Sequence, residues 1–177
     1  MSNKYDTDTF IPEFPHKREE LFNFFGVENI IRIGSAGAMQ ENIKVRDIVI
    51  GQGACTNSNF VSQFGLSGAF APIADYKLLN AAVANCERLG ARYHVGNILS
   101  SDTFYSDDNA ATPAWMKMGV MAVEMEAAAL YLNAARAGKN ALALLTISDN
   151  PFTGEGLSAE DRQNTFTMMM KIALAIA

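Results

Sequence analysis

The stretch Asn140-Ala141-Leu142-Ala143-Leu144-Leu145-Thr146-Ile147-Ser148 is almost entirely apolar, and its length and composition predict a strand. Before it, an Ala-rich helix is predicted from Glu124 to Ala137, with Gly138 at its end. After it, Ser158 is placed to cap a last helix that runs through Ala175, with Asp161 at the third helical position. A strand between two helices is typical of a layered α/β domain.

The rest of the chain alternates in the same way. Strands are predicted at Asn29–Ile33, Asp47–Gly51 and Tyr93–Leu99, and helices at Lys17–Phe25 and Asp75–Leu89. Loops are predicted at Asn57–Ala71 and Asp107–Pro113. Pro113 suits the first turn of a further short helix. Residues 1–16 show no sustained period, so we expect an irregular N-terminal arm there. The α/β domain is therefore expected to span residues 17–177.

Composition excludes several classes of protein. The 177 residues are enough for one domain with a sizeable core, and 49% of them are hydrophobic. The net charge of −5 disfavours a nucleic-acid partner. His16, His94, Cys55 and Cys86 are too widely spaced to suggest a metal site or a disulfide framework. Because no apolar run is as long as a membrane span and no signal peptide opens the chain, we expect a cytoplasmic protein that does not engage a membrane.

The stretch Val123-Glu124-Met125-Glu126 places two carboxylates at a helix entrance beside apolar sequence. Ionised carboxylates resist desolvation unless they are paired. A ligand with vicinal hydroxyl groups is one such partner, since one carboxylate accepts two hydrogen bonds from a diol. The alternative is that the two acids only complement the helix dipole.

Arg32 lies in an otherwise apolar strand and is followed by Gly34, Ser35 and Gly37. A buried guanidinium needs an anion. Glycines at a strand end let backbone N–H groups approach an anionic ligand, so the pattern is a candidate anion site. A tight turn with a structural salt bridge explains the same residues.

Two more segments end strands with groups suited to a ligand. Ser148-Asp149 closes the most hydrophobic strand, where Asp149 is a candidate proton donor or, alternatively, a turn cap. Phe104-Tyr105 follows another strand, where an aromatic ring suits the flat face of a base, although such pairs more often pack in a core.

In this order, Ile30–Gly37, Ser101–Tyr105, Leu144–Asp149 and Ala159–Gln163 resemble the motifs of the hexameric, bacterial-type purine nucleoside phosphorylases of the nucleoside phosphorylase family. The resemblance runs from about Lys17 to the C-terminus. It implies a layered α/β/α, phosphorylase/hydrolase-like domain with a central mixed sheet.

The resemblance also implies a role for each matching residue. Phosphate binding is implied for Arg32, Ser35 and Gly37, and nucleoside binding for Phe104, Val123, Glu124, Met125, Glu126 and Ser148. Asp149 is implied to protonate purine N7 with help from Arg162. Inorganic phosphate would be the co-substrate, with no metal and no organic cofactor, and the enzyme would form a homo-oligomer, a hexamer if complete.

One part of the family pattern has no counterpart here. The Gly-Asp-Pro loop and the downstream arginine that bind phosphate in the family are not found, and residues 1–16 do not replace them. We therefore expect an N-terminally truncated fold with weakened phosphate binding. A related nucleosidase that uses water, and an inactive remnant that binds nucleosides or only assembles, are the alternative functions. Uridine phosphorylase is disfavoured because a pyrimidine offers no N7 to Asp149.

Overall fold

A computed structural model describes residues 20–104, 111–164 and 166–177. Strands β1 to β6 are Asn29–Ala38, Ile48–Thr56, Tyr93–Ser100, Ala122–Glu124, Asn140–Asn150 and Glu155–Gly156. Helices α1 to α5 are Tyr76–Leu89, Ala111–Lys117, Ala127–Ala137, Ala159–Asn164 and Thr167–Ile176, and a 3₁₀ helix spans Asn59–Phe64. The predicted arm at residues 1–16 lies outside the described residues, as does Tyr105.

The strands form one mixed sheet in the order β1-β4-β3-β2-β5-β6, and β1 also pairs with β5, so that five of the strands close a ring. The β1–β5, β2–β3 and β3–β4 pairs are parallel, whereas β1–β4, β2–β5 and β5–β6 are antiparallel. β5 is central because it pairs with β1, β2 and β6. This arrangement explains why Leu142, Leu144 and Leu145 are fully buried.

Helices cover the sheet on two sides. Helices α1 and α5 pack with Ile48, Ile50 and Leu144 in one apolar cluster. Helix α3 packs with Val49 and Leu145 in another. Neighbouring residues of β2 and of β5 thus face opposite helical layers, as the alternation of a strand requires. The predicted α/β fold with a central mixed sheet is confirmed.

Local signals in the sequence placed several helix ends correctly. The side chain of Asp75 accepts a hydrogen bond from the Leu78 N–H group and caps α1. Ser158 accepts from the Asp161 N–H group over 3.1 Å and donates to the Asp161 carboxylate over 2.7 Å, which is the predicted capping pair. Helix α3 ends at Ala137 with Gly138 as its C-cap, as expected.

Other predicted boundaries were wrong, and each has a cause in the tertiary structure. The first strand does not stop at Ile33 but continues to Ala38, because β5 offers backbone partners from Asn29 through Gly37. The helix predicted from Glu124 begins at Ala127, since Ala122–Glu124 pairs with β3 as a short strand. The single last helix is two helices, α4 and α5. None of the helices in the described ranges is long and apolar enough to cross a membrane.

Candidate functional site

Glu124, the last residue of β4, has a carboxylate that is hydrogen-bonded to other groups of the protein. Its side chain is 1% exposed. Its two oxygens accept the N–H groups of Glu126 and Ala127 at 3.0 Å and the hydroxyl hydrogen of Ser100. A negative charge at the start of α3 also complements the helix dipole. The helix-dipole interpretation therefore fits Glu124, which faces inward. Binding of a ligand diol by the acidic pair and the nucleoside contact of Glu124 stay predictions.

Arg32 supplies the cation for both acids. Its Nη2 atom is hydrogen-bonded to the Glu126 carboxylate and lies 3.2 Å from the nearer Glu124 oxygen. Its Nη1 atom is buried, and no described residue bonds to it. The guanidinium folds back over Gly34, where a Cβ atom would lie 2.5 Å from Nη1. Because Gly34 has no side chain, it leaves room for the guanidinium of Arg32, whose charge is expected to be paired.

Asp149 lies near the end of β5, where the sequence places a candidate acid. The Ser148 hydroxyl group, on a side chain that is almost fully buried, donates to Oδ1 of Asp149 over 2.7 Å. Nη2 of Arg162 is 4.0 Å from the same oxygen, and the Asp149 side chain is 49% exposed. Asp149 is thus held from one side by Ser148, approached by a cation, and still open to a ligand.

Gly37 brings two of these groups together. It is the register partner of Val123 in β4 and of Asp149 in β5. A Cβ atom at Gly37 would lie 2.9 Å from Oδ2 of Asp149 and 3.5 Å from Cγ1 of Val123. The bulge between Ala36 and Gly37 adjusts the strand at this point. The ends of β1, β4 and β5 therefore converge on a single position without a side chain.

The remaining predicted site residues do not form one compact group with Arg32. Ser35 is exposed and three positions from Arg32 with no intervening bulge, so the two side chains leave β1 on opposite faces. Phe104 is 73% exposed and Met125 is 42% exposed. Val123 is half-buried beside Gly37. The structure brings together Arg32 with both acids and Gly37 with Asp149, but it does not join Ser35 to Arg32.

A cavity of about 240 Å³ opens beside Glu126. Its lining includes hydroxyl groups, carboxylates and apolar side chains, among them Ser58, Phe60, Asp102, Met125 and Glu126. Asp149 and Arg32 are not in this lining. The cavity therefore connects the surroundings of Glu126 with the 3₁₀ helix at Asn59–Phe64.

Burial raises the pKa values of both cysteine thiols and of the Tyr131 hydroxyl group. Burial and the neighbouring Glu87 raise the pKa of the Cys86 thiol to about 11, and burial also raises the pKa of Cys55. Desolvation raises the pKa of Tyr131, which keeps its hydroxyl group as a donor to the Gly51 carbonyl. Thiols with raised pKa values are poor nucleophiles at neutral pH.

Within residues 20–104, 111–164 and 166–177, no three His, Cys, Asp or Glu side chains are grouped so that they could hold a metal ion. Ser100 was not among the predicted site residues, although it is buried and bonded to Glu124. Its position directly after an apolar strand was the only signal, and its partner could not be identified without the β3–β4 register.

The chain is similar to known proteins along most of its length. The model of the phosphorylase superfamily matches residues 17–177. The chain is 47% identical over 168 residues to "Purine nucleoside phosphorylase DeoD-type" of Clostridium novyi (strain NT), covering 94% of this chain and 72% of that protein. It is 50% identical over 164 residues to the protein of the same description from Tolumonas auensis, covering 93% and 70%. The corresponding protein of Caldanaerobacter subterraneus subsp. tengcongensis is 48% identical over 168 residues, covering 94% and 72%.

Proposed function

Because this chain belongs to the phosphorylase superfamily, we propose that it is a purine nucleoside phosphorylase, as the relatives at 47% and 50% identity are described. The reaction is the reversible phosphorolysis of purine ribonucleosides and deoxyribonucleosides. Its products are the free base and the sugar 1-phosphate. Such a pentosyltransferase serves purine salvage, with inorganic phosphate as co-substrate and no metal or organic cofactor.

The pairing of β1 supports the assignment to particular residues. Arg32 in this strand is bonded to Glu126, and Gly37 in the same strand is the register partner of both Asp149 and Val123, which lies three residues before Glu126. Phosphorolysis requires a cation for the attacking phosphate, a group that holds the sugar, and an acid for the departing base. We assign one of these groups to each of three side chains: the cation to Arg32 in β1, the sugar contact to Glu126 at the entrance of α3, and the acid to Asp149 near the end of β5.

In the proposed reaction, Glu126 accepts hydrogen bonds from the ribose 2′ and 3′ hydroxyl groups. A phosphate oxygen forms a bond to C1′ as the C1′–N9 bond breaks, and the electron pair of that bond moves into the purine. Asp149 acts as the general acid that transfers a proton to N7, which lowers the barrier to departure of the base. The phosphate dianion stabilises the oxocarbenium-like sugar in the transition state.

Arg32 links the two substrates in this scheme. Its Nη2 atom orients Glu126, and the positive charge of its guanidinium attracts the phosphate dianion. Arg162 approaches Asp149 closely enough to stabilise the carboxylate that remains after proton transfer. Met125, Val123 and Phe104 are proposed to contact the nucleoside through apolar surface.

A nucleosidase is the second candidate, and one observation favours it. Ser35 and Arg32 leave β1 on opposite faces, so these two proposed phosphate ligands do not form one clamp in the described structure. A site that holds phosphate weakly and nucleoside well would admit water as the nucleophile. The same Glu126 and Asp149 roles apply to that reaction.

The deciding experiment is inosine cleavage with and without phosphate, followed by hypoxanthine release. Release that depends on phosphate and yields ribose 1-phosphate supports the phosphorylase. Release that is independent of phosphate and yields ribose supports the nucleosidase. If calorimetry shows that inosine binds but no hypoxanthine is released, the protein binds nucleosides without cleaving them. That outcome would refute both the phosphorylase and the nucleosidase proposals.

We further propose that the protein is a cytoplasmic homo-oligomer, a hexamer. Leu66, Phe70 and Ile73 are exposed near the 3₁₀ helix, and apolar surface of this kind is typical of subunit contacts. Arg136 lies over the ring of Phe64, with 5.2 Å between Cζ and the ring centroid, at the edge of the same surface. Both cysteines are free thiols, which suits a reducing compartment.

A further inference from the structure

Helix α3 begins without help from its own N-cap residue. Glu126 occupies the N-cap position but makes no side-chain capping hydrogen bond, because its carboxylate is bonded to Arg32. The first N–H groups of a helix require acceptors, and burying them without partners is costly. Some other group must therefore take over the cap.

Ser100 and Glu124 supply these acceptors together. The Ser100 hydroxyl oxygen accepts the Ala128 N–H group over 2.8 Å and donates its hydrogen to Glu124. Glu124 accepts the N–H groups of Glu126 and Ala127. Both side chains are buried, and the parallel β3–β4 register sets Ser100 opposite Glu124. Three successive N–H groups of the helix entrance are thus satisfied by two residues outside the helix.

We propose that Ser100 and Glu124 are positioning residues that hold Glu126 and Arg32 in the geometry needed to bind the sugar. This inference rests on the proposed function, because it assigns the diol contact to Glu126. By capping α3, the pair leaves the Glu126 carboxylate to Arg32 and the sugar. By lying 3.2 Å from Nη2, Glu124 also fixes the guanidinium that orients Glu126.

The structure offers a control matched in chemistry and location. The Tyr131 hydroxyl group, on the same helix, is also buried, donates to the Gly51 carbonyl and accepts the Ala143 N–H group. Tyr131→Phe and Ser100→Ala each remove one buried hydroxyl group that makes one donated and one accepted hydrogen bond. Only Ser100 is bonded to the group that holds Glu126.

The test compares inosine with 2′,3′-dideoxyinosine, which lacks the diol. The ratio of their kcat/KM values measures diol recognition and does not depend on the fraction of folded enzyme. We expect Ser100→Ala and Glu124→Gln each to lower this ratio roughly 10-fold or more, the effect of one misplaced charge-assisted hydrogen bond. Tyr131→Phe should lower thermal stability and leave the ratio unchanged.

Several outcomes would overturn the proposal. An unchanged ratio in Ser100→Ala, or equal changes in Ser100→Ala and Tyr131→Phe, would show that Ser100 is only a structural residue. A wild-type protein that does not discriminate the two nucleosides would remove the diol contact and the proposal with it. If the wild type binds inosine without cleaving it, the proposed function fails alone, and the ratio of dissociation constants from calorimetry tests the positioning role.

Discussion

Arg32 and Glu126 are 94 residues apart in the chain and form a hydrogen-bonded ion pair between the middle of β1 and the entrance of α3. The pair couples the strand proposed to bind phosphate to the residue proposed to bind the sugar. Glu126 is 38% exposed and Arg32 only 17%, so a ligand reaches the acid more readily than the base.

Replacement of Glu126 by alanine tests the sugar contact. We expect Glu126→Ala to weaken inosine binding or turnover by about 2 kcal/mol or more, the scale of a charge-assisted hydrogen-bond pair. Steady-state kinetics and calorimetry measure the loss. Glu41→Ala removes an exposed carboxylate elsewhere and should have no effect. Unchanged kinetics and affinity in Glu126→Ala would end the assignment.

Replacement of Asp149 by asparagine retains its size but removes the proton. Asp149→Asn should slow inosine cleavage by roughly 10²-fold or more, which is the usual contribution of acid catalysis. It should slow 7-methylguanosine cleavage much less, because the base of that substrate is already cationic. Equal losses on the two substrates would show that Asp149 is not the proton donor.

Gly37→Ala tests the convergence of strand ends. The added methyl group would lie 2.9 Å from Oδ2 of Asp149, so the carboxylate must shift. A displacement of about 1 Å near the reacting atoms is expected to reduce kcat roughly 10²-fold. Gly68→Ala is the control, since a Cβ atom there meets nothing within 4 Å. Full activity in Gly37→Ala would mean that the position of Asp149 does not depend on this contact.

Assembly is tested by light scattering at micromolar concentration. The exposed Leu66, Phe70 and Ile73 favour a homo-oligomer, or an aggregating species where the apolar surface stays uncovered. Phe70→Ser should shift the population toward smaller species. A monodisperse monomer of the unchanged protein would contradict this expectation.

The sequence predicted those features whose causes are local. The apolar run of β5, the caps at Asp75 and Ser158, and the need of Arg32 for an anion all follow from residues close together in the chain. The identity of the anion did not follow, because Glu126 is 94 residues away in the chain and is brought to Arg32 by the pairing of β1 with β4. Strand β4 was missed because three residues carry no period, and its existence depends on pairing with β3 and β1.

The ring closure of the sheet has a consequence for how the protein is made. β1 pairs with β5 along Asn29 to Gly37, and the Asn140 side chain donates to that of Asn29 across 111 residues of chain. At a synthesis rate of about 5–20 residues per second, β1 leaves the ribosome several seconds before its parallel partner. During that interval its apolar residues and backbone edge are unpaired, and a strand in this state is prone to join another chain. Nascent chains that are kept far apart until β5 emerges are therefore less exposed to this pairing, so a low density of ribosomes making the protein is the condition expected to favour native yield.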